Sequence, residues 1–282
     1  MAPVAIVTDS TAYLPQDLVE QYGITVVPNL VVWDGETYRD GVDMTPQQFY
    51  ERLRNAKTLP TTSQAAAGTY VEAYRALLDQ GYDILSIHLS KDLSGTIESA
   101  RQAKQMLGDV PIRIVDSRSV GMGLGFVVLA AARAVAEGAD LEEATAVAEK
   151  AKDHVGVIFA VDTLEYLHRG GRIGGAQRLL GMMLNVKPIL EIRDGRVEPV
   201  DKVRTRKKSL QRVLDLIEQR IAGRSPVRLA TLHADAEEEA RALLNEAARR
   251  FNAVEAYLTD VSPTVGVHVG PGTVGLAFMA GM

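Results

Sequence analysis

Four short segments of the sequence run from apolar residues into small hydroxyl residues, and these hydroxyls are its clearest candidates for chemistry. The segments are residues 4–11 (VAIVTDST), 59–64 (LPTTSQ), 84–96 (ILSIHLSKDLSGT) and 112–119 (IRIVDSRS). Three of them begin with a run that predicts a buried strand. In an open parallel sheet, ligands bind just beyond the carboxyl ends of the strands. We therefore expect these hydroxyls, with N–H groups from helix starts, to hold a small molecule by an anionic head.

The hydroxyl of Ser94 lies next to a predicted helix start, where an anion can bind. Ser94, Gly95 and Thr96 stand immediately before the helical pattern IESARQAKQML, and a helix start offers free N–H groups and a positive dipole to an anion. The alternative is that Ser94 is an ordinary N-cap, a position for which serine is strongly preferred. Thr62 and Ser63, which we predict to lie in a loop between helices, supply a second pair of hydroxyls.

Two further segments could supply a cation or a proton. Residues 169–172 (RGGR) predict a basic loop in which glycine allows close backbone approach and arginine can pair bidentately with a carboxylate or phosphate. The alternative for this loop is a solvated turn. His268, within PTVGVHVGPG, could donate to an anion or act as an acid or base. It could equally be a structural histidine, and the sequence assigns it no acid partner.

The remaining charged and glycine-rich segments give weaker indications of function. The basic run 202–208 (KVRTRKK) is either a solvated face or a docking patch for an acidic partner. The sequence contains no GxxxxGK[ST] loop, no GxSxG elbow and no HExxH motif. Residues 121–125 (GMGLG) have the wrong spacing for a dinucleotide fingerprint.

The composition is that of an ordinary globular protein. The chain has 282 residues, 46% hydrophobic and 24% charged, a length that corresponds to about two domains. Its net charge of −5 argues against general nucleic-acid binding, and the absence of cysteine removes disulfides and thiolate metal sites. Asp9 interrupts the first apolar run, so no signal pattern is present, and residues 121–136 fall short of the roughly 20 needed to span a bilayer. We expect a cytoplasmic protein.

The order of elements predicts an α/β fold with two domains. In the first half, predicted strands 4–8, 24–33, 84–89 and 112–115 alternate with helices, which favours a parallel sheet covered on both faces. In the second half, Asp194-Gly195 predicts a hairpin among crossover connections, hence a mixed sheet. We predict a three-layer α/β/α domain with a mostly parallel sheet over residues 1–154. A second α/β domain with a mixed sheet is predicted over residues 155–282, with the ligand between the two.

Six motifs, in their order along the chain, resemble those of the DegV family of bacterial fatty-acid-binding proteins. They are TDSTAYLP, TSQ, LSGT, VDS, DTLEYLHRGGRIG and HVGPG, and the match runs from Val4 to Gly275. The resemblance implies a DegV-like two-domain protein that buries a long-chain fatty acid such as palmitate between its domains, without a cofactor. It also implies a non-catalytic subunit that presents this ligand to a separate fatty acid kinase, which forms an acyl phosphate for phospholipid synthesis.

The resemblance also implies site residues. Thr62 and Ser94 match the family's hydroxyls that bind the fatty-acid carboxylate, and Arg172 and His268 match residues near that head group. Further candidates for the ligand site are Ser63, Gly95, Thr96 and Met122. Arg204 and Arg206 lie where the family's kinase-contacting surface would be. The chain has Ala65-Ala66 where the family often has Pro-Ser after TSQ, which alters the loop around Ser63.

An apolar tunnel would supply most of the affinity for such a ligand. A charge-assisted hydrogen bond to the carboxylate contributes about 1.5–3 kcal/mol. A tail of about fourteen methylenes contributes on the order of 11 kcal/mol, at about 0.8 kcal/mol each, before ordering costs. We predict tunnel walls from residues 121–129, 157–167 and 179–190, with Met122, Met182 and Met183 as adaptable lining or simple core.

Two other classes of function stay open. The first is a hydrolase or phosphotransferase that uses Ser94 or His268, although the sequence shows no pair of a base and an orienting group for it. The second is a regulatory protein that senses lipid and binds another macromolecule through the basic run, against which the net charge argues.

Overall fold

The computed structural model describes residues 2–282, and their side chains except at positions 182–185. The strands are β1 (Val4–Asp9), β2 (Thr25–Val27), β3 (Leu30–Trp33), β4 (Glu36–Arg39), β5 (Thr61–Ser63), β6 (Asp83–His88), β7 (Ile112–Asp116), β8 (Val155–Ala160), β9 (Lys187–Arg193), β10 (Arg196–Val203), β11 (Val227–His233), β12 (Glu255–Tyr257) and β13 (Val274–Ala280). The helices are α1 (Gln16–Gln21), α2 (Pro46–Arg54), α3 (Ala67–Leu78), α4 (Thr96–Leu107), α5 (Met122–Ala136), α6 (Leu141–Ala151), α7 (Glu165–Arg169), α8 (Arg206–Ile221), α9 (Glu237–Arg250) and α10 (Pro263–Val269). Short 3-10 segments cover Ser10–Ala12 and Gly174–Asn185.

The first half of the chain forms a parallel sheet in the order β2-β1-β6-β7. Strand β1 is buried along its whole length because its apolar, β-branched residues are covered on both faces. Helices α3 and α4 pack on this sheet, and α4 makes the crossover from β6 to β7. The sheet therefore directs the ends of β1 and β6, with the hydroxyl residues that follow them, to one edge.

Two predictions for this half were wrong. The predicted single strand 24–33 is divided, because Pro28 and Asn29 interrupt it: β2 joins the parallel sheet and β3 starts a separate three-stranded sheet. Thr62 and Ser63 lie in strand β5 of that small sheet, paired antiparallel with β3, and not in a loop between helices. The pairing fixes the backbone that carries the Thr62 hydroxyl.

The second half forms a six-stranded mixed sheet in the order β10-β9-β8-β13-β11-β12. Strands β9 and β10 make the predicted antiparallel hairpin around Asp194-Gly195. All strands of this sheet begin at or after Val155, while those of the other two sheets end by Asp116. The fold is thus α/β with one parallel and one mixed sheet, which confirms the predicted class.

Helix α5 lies between the parallel and mixed sheets. It contacts β1 and β6 on one side and β8, β11 and β13 on the other. Its apolar residues are buried nearly all round, which its sequence MGLGFVVLAAARAVA predicts for a helix without a solvent face. No helix in the part of the chain described here is long and apolar enough to cross a membrane.

Helix α10 was not predicted. His268 lies in this seven-residue helix, which Ser262 caps by accepting the N–H of Val265. Gly266 gives the sequence PTVGVHV a weak helix propensity, but its missing side chain lets α10 approach α2: a Cβ there would lie 2.6 Å from the Tyr50 hydroxyl. Tertiary packing therefore decides the structure of this segment.

Candidate ligand cavity

An apolar cavity lies where the parallel sheet, the small sheet and the mixed sheet meet. The empty space between its lining atoms is about 990 Å³, including the part that opens to solvent. Its walls are mostly aliphatic or aromatic and come from both halves of the chain: Leu89, Leu93, Val120, Val157, Phe159, Leu167, Ile192, Val197, Leu232 and Val261. A cavity of this kind suits a ligand with a substantial apolar body.

Five of the predicted ligand residues line this cavity. They come from four separate parts of the fold: Thr62, Ser63, Ser94, Arg172 and His268. Two contacts connect these parts in pairs: Thr62 bonds His268, and Arg172 bonds the carbonyl of Leu93, the residue before Ser94. These polar side chains therefore share one cavity with the aliphatic and aromatic walls, and we call the part that they line the head-group end.

Thr62 and His268 form a pair at this end. Thr62 Oγ1 lies 2.9 Å from His268 Nε2. Burial, and the nearby positive charge of Arg172, lower the pKa of His268 from 6.5 to about 4, so the ring is neutral near pH 7. Its buried Nδ1 has no hydrogen-bond partner among the described atoms, and an orphaned N–H is the rarer kind of buried group. A proton on Nε2 therefore fits best, and it leaves the Thr62 hydroxyl proton for a ligand.

Gly170 allows His268 to reach this position. A Cβ on Gly170 would lie 2.1 Å from His268 Nδ1, far inside contact distance. The glycine of the RGGR loop thus permits α7 and α10 to pack closely, whereas the sequence suggested close approach to a ligand. A side chain at this position would displace the histidine or the loop.

Arg172 brings a positive charge to the cavity and makes no ion pair with the described acidic residues. Its Nε donates to the carbonyl of Leu93 at 3.0 Å, and an Nη donates to the carbonyl of Gly170 at 2.7 Å. Among the ion pairs of the described residues, none involves Arg172. Two neutral carbonyls hold the guanidinium in place but leave its charge uncompensated, so the site can accept an anion.

Ser94 stands directly before helix α4, as predicted. Its Oγ accepts the N–H of Thr96 at 3.2 Å and lies 2.9 Å from Thr96 Oγ1. Gly95, the N-cap residue of α4, has no side chain to cap the helix. Ser94 lines the cavity, whereas Gly95 and Thr96 do not, and Thr96 is fully buried behind it. Ser94 therefore faces the cavity, and Thr96 supports Ser94 from behind.

The other predicted residues already make a hydrogen bond within the protein, do not line the cavity, or have side chains outside the described part. Ser63 is exposed and donates to the carbonyl of Gln64 at 3.2 Å. Met122 is fully buried at the start of α5 and does not line the cavity, so its prediction as a ligand residue fails. The side chains of Met182 and Met183 lie outside the described residues.

The two arginines of the predicted docking patch differ. Arg204 is exposed between β10 and α8. Arg206 points inward and makes a bidentate pair with Glu239, whose shortest contact is 2.6 Å. Its guanidinium is thus engaged within the protein, and Arg204 is the exposed one of the two.

Sequence reasoning missed several polar residues of the cavity wall. The structure adds Tyr13, Asn29, Asp260, Ser262 and Thr264, whereas Thr11 belongs to the first of the four hydroxyl segments. Asn29 had a signal, because a polar residue after proline in the middle of an apolar run requires a reason. Asp260 and Thr264 had none, since they reach the cavity only through the packing of α10 and the end of β12.

The structure contains a Ser-His-Asp arrangement, but it faces away from the cavity. Ser86 Oγ lies 2.7 Å from His88 Nε2, and His88 Nδ1 lies 3.1 Å from Asp9 Oδ2. All three side chains are fully buried, none lines the cavity, and Tyr74 donates to Ser86. Without access to a substrate the order of groups is insufficient for catalysis, and these residues tie β1 to β6 instead.

Among the described side chains at the cavity, no catalytic arrangement is complete. His268 bonds Thr62 and has no orienting acid, and Ser94 bonds Thr96. Within the described side chains, no three His, Cys, Asp or Glu residues cluster in a way that could hold a metal ion. The geometry favours recognition of an anion at the end of an apolar cavity.

Known proteins are similar to this chain over nearly its whole length. A family model described as "Uncharacterised protein, DegV family" matches residues 3–281. The fold is similar to that of a DegV family protein of Thermus thermophilus whose structure is described for its fatty acid binding. The two are 37% identical, with a TM-score of 0.94 over 99% of this chain and 100% of the other.

Two more solved structures extend this similarity. DegV of Bacillus subtilis, described as a fatty acid binding protein, is 36% identical, with a TM-score of 0.91 over 99% of this chain and 100% of the other. A stearic acid-binding protein of Eubacterium ventriosum is 26% identical, with a TM-score of 0.92 over 99% of this chain and 98% of the other.

Proposed function

The chain belongs to the DegV family, and from that premise we propose that it binds a long-chain fatty acid such as palmitate in the cavity described above. The carboxylate lies at the end that carries Thr62, Ser94 and Arg172, and the tail extends along the apolar walls. Relatives of similar fold are described as fatty-acid-binding, including a stearic acid-binding protein.

The uncompensated charge of Arg172 is the observation that carries this proposal. A half-buried guanidinium beside an apolar cavity is costly unless an anion completes it. The anion has to be small and attached to an apolar body, because the hydroxyls of Thr62 and Ser94 and the Arg172 cation share the cavity with a large aliphatic and aromatic wall. An ionised fatty acid satisfies both conditions. Neutral His268 adds no second charge, so the site matches a singly charged head group.

We propose further that the protein has no catalytic activity of its own and acts with a separate fatty acid kinase that phosphorylates the bound carboxylate. The lack of an orienting acid for His268 and the absence of a Walker-type nucleotide loop from the sequence support a binding subunit. The exposed Arg204 supports a kinase-docking surface at the junction of β10 and α8.

Replacement of Arg172 tests the head-group site. In delipidated protein, Arg172→Gln is expected to weaken palmitate binding by about 10- to 100-fold, because a hydrogen bond to a charged group contributes about 1.5–3 kcal/mol. The dissociation constant for hexadecanol, which has no charge, is expected to change by less than about twofold. Titration calorimetry or displacement of a fluorescent fatty acid measures both.

Arg169→Gln is the matched control. Arg169 lies three residues away in the same loop, with 61% of its side chain exposed, and pairs with Glu165. Its replacement is expected to leave both affinities unchanged. Palmitate affinity that survives in Arg172→Gln, or falls equally in the two variants, would remove the assigned role of Arg172.

A further inference from the structure

Asn29 links the two segments that carry the head-group hydroxyls. It lies just before β3, is 2% exposed and lines the cavity. Its Nδ2 donates to Asp9 Oδ1 at 3.3 Å, and its Oδ1 accepts from Thr96 Oγ1 at 3.1 Å and from the N–H of Ala65 at 3.4 Å. One amide thus joins β1, the start of α4 and the segment after β5.

The chemistry of its partners fixes the orientation of the amide. Both oxygens of the Asp9 side chain accept backbone N–H groups, from Thr11 and Leu89, so this side chain acts as an acceptor and requires Nδ2. The N–H of Ala65 can only donate, so it requires Oδ1. Asp9 and Ala65 require the same placement of the amide nitrogen and oxygen. Asn29 therefore has a single orientation, in which Oδ1 faces Thr96.

This orientation extends to Ser94. Because Oδ1 has no proton, Thr96 must donate its hydroxyl proton to Asn29, and its oxygen is then an acceptor toward Ser94. The N–H of Thr96 also donates to Ser94 Oγ. Thr96 is fully buried, and three hydrogen bonds connect it to Ser94 and Asn29. The Ser94 oxygen is therefore held in place, while its proton can turn from Thr96 to a carboxylate.

The backbone of Asn29 acts on Thr62 in a similar way. Its N–H donates to Ser10 Oγ at 3.0 Å, and its carbonyl accepts the N–H of Asp40 at 2.9 Å. The next residues, in β3, pair with the strand that carries Thr62. The position of Asn29 therefore sets where both hydroxyls stand relative to each other.

We propose that Asn29 is a positioning residue, which through Thr96 and β5 sets the spacing of the Ser94 and Thr62 hydroxyls and so the preference of the cavity for an ionised carboxylate over a neutral head group. The inference rests on the proposed function. The expected effect of Asn29 is on the preference for acid over alcohol and not on binding to the apolar walls. It can therefore be distinguished from a general loss of packing.

The test compares binding of palmitate and hexadecanol by delipidated wild type, Asn29→Leu, Thr96→Val and the double variant. Each single change is expected to lower the preference for acid over alcohol by about 10-fold, while hexadecanol affinity changes by less than about twofold. Because both changes break one connection, the double variant is expected to lose at most about twofold more than either single one. Thr96→Val preserves shape and serves if Asn29→Leu does not fold.

Thr231→Val is the matched control. Thr231 is also a fully buried threonine with internal hydrogen bonds, to Thr259, and it does not line the cavity. Its replacement is expected to leave the preference unchanged. Equal losses for acid and alcohol, or losses that add fully in the double variant, would overturn the inference about Asn29. Failure of the wild type to bind palmitate would instead remove the proposed function, and this inference with it.

Discussion

His268 shows how one buried side chain defines the charge of the head-group end. Its ring is neutral because burial and Arg172 both disfavour the imidazolium. The cavity therefore has one cation and not two, and Thr62 is oriented by a neutral partner at 2.9 Å. A motif such as HVGPG can mark His268 as a candidate, but its charge depends on Arg172, 96 positions earlier in the chain.

The neutral ring predicts a pH dependence of stability. Folding lowers the pKa of His268 from 6.5 to about 4, so between these values the unfolded chain binds the extra proton and the folded chain does not. The free energy of unfolding should therefore fall as the pH drops from 6.5 toward 4. Wild type is expected to lose about 2 kcal/mol more than His268→Gln between pH 7 and pH 4.5. Urea denaturation of the delipidated proteins measures this difference.

The comparison with His268→Gln is necessary because the titration of Asp40 changes the free energy of unfolding in the opposite direction. Burial raises the pKa of this carboxyl to about 6, so its contribution to stability is lost as the pH rises through that value. Asp40 is present in both proteins and cancels in the comparison. Parallel stability profiles for wild type and His268→Gln would show that His268 is not buried as a neutral ring.

At the scale of elements, the junction of β10 and α8 presents the proposed docking surface. Arg204 is exposed there, as are Lys207 and Lys208, whereas Arg206 turns inward. The other end of β10 begins with Arg196, which bonds Asp92 near the head-group hydroxyls. At about 3.3 Å per residue, the strand separates Arg204 from Arg196 by about 25 Å. Docking and lipid binding should therefore be separable.

Arg204→Glu is expected to reduce acyl-phosphate formation by about 10-fold when the protein is mixed with a fatty acid kinase subunit and ATP at low salt, because the reversed charge slows encounter. Palmitate affinity should stay within about twofold of wild type, as no contact in the cavity changes. Lys150→Glu, an exposed change on α6, is the control. Unchanged coupling in Arg204→Glu would show that the docking surface lies elsewhere.

The elements also show what periodicity can predict. Strands with continuous apolar residues, such as β1 and β6, and the hairpin at Asp194-Gly195 were predicted correctly. The strand β5 and helix α10 were not, and they carry Thr62 and His268. Their sequences TTS and PTVGVHV have weak intrinsic preferences, and their conformations come from pairing with β3 and packing on α2. Local patterns therefore fail mainly where the candidate site is built.

For the whole molecule, the cavity depends on contacts between distant parts of the chain. Ser94 and Arg172 meet through the Leu93 carbonyl, 79 positions from the arginine, and Thr62 meets His268 across 206 positions. The sequence could indicate the hydroxyls, the basic loop and the histidine. It could not indicate Asn29 as their connection, nor that Met122 is absent from the cavity lining, because both follow from how β3 and α5 are placed.

The central claim is that the cavity holds one long-chain fatty acid without a covalent bond. Mass spectrometry of the purified protein, first native and then denatured with lipid extraction, tests it most directly. We expect a one-to-one adduct with the mass of a fatty acid that disappears on denaturation, with the free acid recovered in the extract. A protein that carries no lipid and, after incubation, takes up neither palmitate nor oleate would contradict the account.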